Sequence, residues 1–301
     1  MQLTMQDPHI IAQEIIAGDR RALARTITLV ESALPERRQL DLTVLEVLAT
    51  KGEPTSVRLG ISGTPGVGKS TFIEAFGQIL LQRKHRVAVL AIDPSSPVSG
   101  GSILGDRTRM EKLSSHEDVF IRPSPAGTTL GGVGRYTREA IILCEAAGYD
   151  YIIVETVGVG QSEGIVHSMV DALLVLQLPN AGDELQGIKK GILELADLIA
   201  VTKVDGQQIP AGRLAQQQLK MALSYGSRKG TPVLTCSALN GEGLEQIATH
   251  IETFLTKAKA DATFRNRRTR QALQWFEAEL VELIREALAA KPQFQEMCSW
   301  M

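Results

Sequence analysis

Gly63-Thr64-Pro65-Gly66-Val67-Gly68-Lys69-Ser70 fits the pattern G-x-x-x-x-G-K-[ST], and its flanks give the pattern meaning. The run before it, Val57 to Ser62, is short and apolar and reads as a buried strand. After it, Phe72, Ile73, Phe76, Ile79 and Leu80 recur at helical spacing. A strand, a glycine loop and a helix N-terminus make an anion cradle. Backbone N–H groups converge, the helix dipole favours negative charge, and the glycines let the chain approach a phosphate. The loop from Gly63 to Thr71 is therefore expected to bind a nucleoside triphosphate. Lys69 would sit on the β and γ phosphates, and Ser70 would offer its hydroxyl to Mg²⁺.

Working outward, residues 56 to 256 alternate strands and helices. Strands are expected at 57–62, 87–92, 118–121, 151–155, 172–178, 197–202 and 232–236, with helices between them such as 134–147 and 208–223. Most of the strands are continuous apolar runs, as in Val87 to Ile92 and Tyr151 to Val154, which is how strands covered on both faces read. The fold class is α/β: a P-loop NTPase with a mainly parallel sheet flanked by helices. Helical extensions are expected at both ends, so the chain divides into 1–55, 56–260 and 261–301. The first carries three apolar stripes, and the last an apolar stripe of Leu273, Phe276, Leu280, Leu283 and Ile284. The basic run Arg265 to Arg270 reads as a solvated turn or as a phosphate or RNA contact.

Composition narrows the function classes. A net charge of −2 over 301 residues gives no general nucleic-acid surface. No uncharged apolar run approaches the ~20 residues of a bilayer span, and Met1 to Asp7 lacks the build of a signal peptide. Cys144, Cys236 and Cys298 are scattered and form no disulfide framework, consistent with a cytoplasmic protein. The five dispersed histidines read as surface or packing residues.

Ligands of parallel sheets collect at the carboxyl ends of the strands. Asp93 stands there, before Pro94, and so does Glu155, with Gly158 three residues on to meet the γ phosphate. Asp106 follows a flexible Ser99 to Ser102. The three acids are candidates to hold or orient Mg²⁺. A helix cap is the alternative for Asp93, and an ordinary surface charge for Asp106. The run Thr202-Lys203-Val204-Asp205 is related to N-K-x-D. Its Asp205 carboxylate would accept from guanine N1–H and the exocyclic amine, and the Lys203 stem would lie over the base. Ser237-Ala238-Leu239 ends a further strand, and the Ala238 N–H would meet guanine O6. These spacings predict GTP and GDP as the bound nucleotides. Thr202 lacks the amide that braces the phosphate loop in N-K-x-D, and lower affinity is the expectation.

With these residues assembled, the chain resembles the MeaB/ArgK group, the methylmalonyl-CoA mutase-associated G-protein chaperones. The likeness rests on G-T-P-G-V-G-K-S, A-I-D-P-S-S-P-V-S-G-G-S-I-L-G-D-R-T-R-M, F-I-R-P, V-E-T-V-G-V-G-Q-S-E, D-E-L-Q-G-I-K-K-G and T-C-S-A-L. It implies a Mg²⁺-dependent GTPase whose partner is an adenosylcobalamin-dependent acyl-CoA mutase, with hydrolysis gating cofactor loading and protection. By that resemblance Lys69, Ser70, Asp93, Asp106 and Glu155 take the phosphate, metal and switch roles. Asn180 to Lys190 would couple nucleotide state to the mutase; a charged helix start is the other reading of that segment. A homodimer is also implied, although the chain stops at Met301, short of the helical tail with which relatives dimerise. The alternative function is a kinase or ATPase serving arginine and ornithine transport. A nickel metallochaperone would need clustered histidines or cysteines.

Overall fold

A computed structural model describes residues 7–31, 35–49, 55–93, 110–125, 130–156, 162–179, 190–224 and 230–289. Seven parallel strands form one sheet in the order β3-β2-β4-β1-β5-β6-β7. They are β1 Val57–Gly63, β2 Val87–Asp93, β3 Val119–Pro125, β4 Tyr151–Thr156, β5 Ala172–Gln177, β6 Leu198–Val201 and β7 Val233–Thr235. Each expected strand is present. Ile152, Ile153 and Val154 of β4 and Leu173 to Leu176 of β5 have no exposed surface, as continuous apolar runs in a sheet covered on both sides require.

Gly60 shows how closely one of those faces is covered. A Cβ there would lie 2.9 Å from Leu173 Cδ1 and 3.0 Å from Val166 Cγ1, so the helix Ser162–His167 rests directly on β1. The opposite face carries the helix Lys69–Gln82, which starts at the phosphate loop. On it, Gly77 leaves room for Leu113, whose Cδ1 would be 2.7 Å from an added Cβ.

Three N-terminal helices, Pro8–Ile16, Arg20–Val30 and Pro35–Ala49, stack against one another and against the helix Leu130–Ala146. Their starts are written in the sequence. Asp7 precedes Pro8 and accepts from the His9 N–H, while Asp19 accepts from the Arg21 and Ala22 N–H groups. Those two backbone bonds hold the Asp19 carboxyl below its ordinary value. Arg20 donates to the Val119 carbonyl at 2.6 Å, and Arg122 of β3 pairs with Glu31, so arginines tie this helical layer to the edge strand.

The chain forms two compact units, residues 1–253 and 254–301. In the second, the helix Thr263–Ala289 runs 27 residues.

The amino end of β1 is fixed by charge. Arg58 donates from Nε and Nη2 to the two oxygens of Glu145, both at 2.8 Å, and Ser56 Oγ donates to the same carboxylate at 2.5 Å. The Arg58 backbone N–H donates to Asp171 Oδ2 at 2.8 Å. Both members of the ion pair are buried. Removing one partner leaves a desolvated charge behind, so Glu145→Ala is expected to cost about 3–5 kcal/mol in a denaturant titration. A loss under about 1 kcal/mol would show that water reaches the pair.

Candidate functional site

The phosphate loop is built by backbone conformations open to glycine. Gly66 and Gly68 have φ of +78° and +96°, in the left-handed region. Gly63 is required for a second reason, since its Cβ would stand 2.6 Å from the Leu176 carbonyl oxygen of β5. Val67 is fully buried beneath the loop. Gly68 caps the helix that begins at Lys69, and its carbonyl accepts from the Phe72 N–H at 2.8 Å.

Such a loop turns its N–H groups inward for an anion, so its carbonyls need donors from elsewhere. Three side chains supply them. Lys69 Nζ donates to the Gly63 carbonyl at 2.9 Å and lies 3.3 Å from that of Thr64. Lys203 Nζ donates to Gly66 at 2.8 Å, from a residue whose own φ is +56°. Thr202 Oγ1 lies 2.9 Å from the Val67 carbonyl and 3.2 Å from that of Gln177. The residue type at 202 suggests a lost brace, but in the structure the hydroxyl reaches the phosphate loop. A signal for this exists in the sequence: threonine can donate as an amide does, and only its shorter reach argues otherwise.

The two segments expected to read the base meet. Ser237 Oγ donates to Asp205 Oδ2 at 2.5 Å, and the Val204 N–H donates to the Cys236 carbonyl at 3.0 Å. That leaves the other carboxylate oxygen for a ligand. Gly243 holds the turn behind them, with φ +77° and an added Cβ only 2.2 Å from the Thr235 carbonyl. Cys236 is buried in this joint, and desolvation pushes its thiol up to about 12. Leu239 projects from the same turn and is 82% exposed.

On the metal side, Ser70 Oγ lies 3.4 Å from Glu155 Oε1. A hydroxyl and a carboxylate side by side are the hard oxygen donors that suit Mg²⁺, which takes few protein ligands and keeps its waters. Asp93 ends β2 in register with Pro125, at the same edge of the sheet. Asp106, Gly158 and the segment 180–189 lie outside the described residues. Among the described residues no group of three or more His, Cys, Asp or Glu is placed to hold a metal.

Comparison with known proteins gives one answer. The family model "Methylmalonyl Co-A mutase-associated GTPase MeaB" matches residues 23–293. A probable GTPase of Mycobacterium tuberculosis is 48% identical over 283 residues, covering 92% of this chain and 82% of its own length. The mitochondrial methylmalonic aciduria type A homolog of Mus musculus is 44% identical, covering 95% of this chain and 72% of its own length. A crystal structure of an LAO/AO transport system kinase superposes with a TM-score of 0.81 at 37% identity, covering 98% of this chain and 90% of that one.

The Thr202 contact makes a measurable claim. Thr202→Val keeps the shape and leaves the Val67 carbonyl without its hydroxyl donor. GDP affinity should fall about tenfold by calorimetry, the worth of ~1.4 kcal/mol. Thr202→Asn should retain it. Equal affinity for Thr202→Val would mean that the phosphate loop stands without this brace.

Proposed function

Because the chain belongs to the MeaB family of methylmalonyl-CoA mutase-associated GTPases, we propose that it couples GTP hydrolysis to the state of an adenosylcobalamin-dependent acyl-CoA mutase, gating cofactor loading and protection. The protein is a GTPase. The observation that supports a guanine-specific switch is the joint of Asp205 and Ser237 beside a phosphate loop held by Thr202 and Lys203.

In this reading the segment Gly63 to Thr71 cradles the phosphates through its backbone N–H groups, Pro65 having none and that of Val67 donating to the Thr64 carbonyl, and Lys69 exchanges the loop carbonyls for the β and γ oxygens when nucleotide enters. Ser70 and Glu155, with Asp93 and Asp106, hold Mg²⁺ and its waters. The bound metal supplies neutralisation of the charge that develops on the phosphates. Gly158 follows Glu155 closely in sequence and senses the γ phosphate. Asp205 accepts from guanine N1–H and the exocyclic amine, Ala238 donates to O6, and Lys203 and Leu239 cover the base faces. Because the acceptors and donors are fixed, adenine would leave them unpaired.

GTP should therefore bind at least about a hundredfold more tightly than ATP, and Asp205→Asn should move preference toward xanthine nucleotides. Calorimetry with the three nucleotides decides this; equal GTP and ATP affinities would remove the base assignment. Lys69→Ala should abolish turnover, and Glu155→Gln should raise the Mg²⁺ concentration needed for half-maximal rate more than it weakens GDP binding. Hydrolysis by the Lys69 variant at the native rate would refute the phosphate role.

The mutase partnership is tested by turnover with and without a purified cobalamin-dependent mutase. Stimulation of the rate and a nucleotide-dependent complex are expected, and by linkage the nucleotide state that tightens the complex is itself held more tightly within it. Transfer of phosphate to a protein acceptor, rather than release of free phosphate, would favour the second reading, a kinase like the LAO/AO transport system kinase that the fold resembles.

A homodimer fits the second unit. Leu273 and Phe276 are 59% and 66% exposed, and Leu280, Leu283 and Ile284 continue their stripe along the helix. Arginines at 265, 267, 268 and 270 precede the stripe, and Glu277 and Glu279 fall within it, so two antiparallel copies would set basic against acidic turns. Leu280→Asp should convert a dimer to a monomer in analytical ultracentrifugation; a native chain that sediments as a monomer at tens of micromolar would end this assignment.

A further inference from the structure

Two adjacent residues of β4 face opposite ways, and both are polar. Glu155 faces Ser70 at the phosphate-loop helix. Thr156, the next residue, therefore faces the helix Ser162–His167, and there its Oγ1 donates to Ser62 Oγ of β1 at 2.9 Å. Thr156 and Ser62 have no exposed surface. Ser62 lies two residues beyond Gly60, whose missing Cβ faces Leu173 and Val166, so the alternation of strands places it on that same helix-covered face.

The third member comes from β5. Leu173 is on this face by the same contact, so Val175 and Gln177 are too. Ser62 is in register with Val175, and Gln177 is the next residue of β5 on that face. Gln177 is 2% exposed, and its Oε1 has no hydrogen-bond donor among the described residues. In the Thr156–Ser62 pair, the Ser62 proton finds no acceptor among them either. A spare donor and a spare acceptor thus lie diagonally across adjacent strands, on the face that Leu173 and Val166 also line.

We propose that Thr156, Ser62 and Gln177 form one buried polar seam across β4, β1 and β5, closed from Ser62 to Gln177 through one water, and that Gln177 is a positioning residue for GTP hydrolysis. The seam fixes the carboxyl end of β4 from behind and so fixes Glu155 against Ser70. The same Gln177 offers its backbone carbonyl to the Thr202 N–H at 2.8 Å, next to the hydroxyl that braces the phosphate loop. One residue thus stands between Ser62 of β1, which bonds to the strand that carries Glu155, and the segment that carries Asp205. This inference rests on the reading of Glu155 as a metal-site group.

The test uses the full-length protein and separates function from folding by opposite signs. Gln177→Leu replaces a buried amide, whose Oε1 has no protein donor among the described residues, with an apolar side chain of similar volume, so its thermal midpoint should rise or hold. Its GTPase rate should fall about tenfold, and the Mg²⁺ concentration for half-maximal rate should rise several-fold. Ser62→Ala should show the same Mg²⁺ shift, and the double variant should be no worse than either single one, because the seam is already open. Gln177→Glu, which keeps the acceptor, should recover most of the Mg²⁺ response. An unchanged Mg²⁺ response in Gln177→Leu would overturn the proposal, as would additive losses in the double variant. If Glu155→Gln leaves the Mg²⁺ response unaltered, the metal reading of Glu155 fails instead; if Glu155→Gln shifts it and Gln177→Leu does not, the seam alone is refuted.

Discussion

An anion cradle made of backbone must find partners for its own carbonyls. A glycine loop that offers N–H groups to an anion leaves carbonyls pointing the other way. Lys69, Thr202 and Lys203 answer Gly63, Val67 and Gly66 in turn. Two of the three belong to the segment proposed to read the base, so in that reading phosphate binding and base recognition share one scaffold. The parallel sheet makes this sharing possible, because it delivers the ends of β1, β4, β5 and β6 to one edge.

Much of this is legible in the sequence. The seven expected strands are all present, most of them continuous apolar runs, since a strand covered on both faces has no polar alternation to obscure it. The glycine loop and the two segments proposed to read the base stand out equally, because each places uncommon residue types at a fixed spacing beside a strand end. The pairing of Ser237 with Asp205 joins residues 32 positions apart, yet both follow strand ends, and adjacency of β6 and β7 brings them together.

Other features are hidden for physical reasons. The brace from Thr202 escapes a sequence reading because side-chain reach depends on how near β6 stands to the loop, a distance that no local pattern encodes. Gly243 looks like any turn glycine until the Thr235 carbonyl is seen to occupy its Cβ position. Arg58 and Glu145 are 87 positions apart, and nothing in either neighbourhood announces a buried ion pair. Ser62 and Thr156 resemble ordinary polar strand ends; only the opposite facing of Glu155 and Thr156 shows that they are buried behind the site.

Cys236 turns the base-reading joint into its own reporter. Its thiol is covered, is held in the protonated form far above neutral pH, and sits in a segment pinned by the Val204 and Cys236 backbone hydrogen bonds. An alkylating reagent reaches it through a local opening of that segment. The labelling rate at Cys236, read separately from Cys144 and Cys298, then counts openings of the joint. A guanine nucleotide that bridges Asp205 and Ala238 would slow that clock, and the ratio of the two rates would measure how much of the binding energy is stored in closing this corner of the sheet.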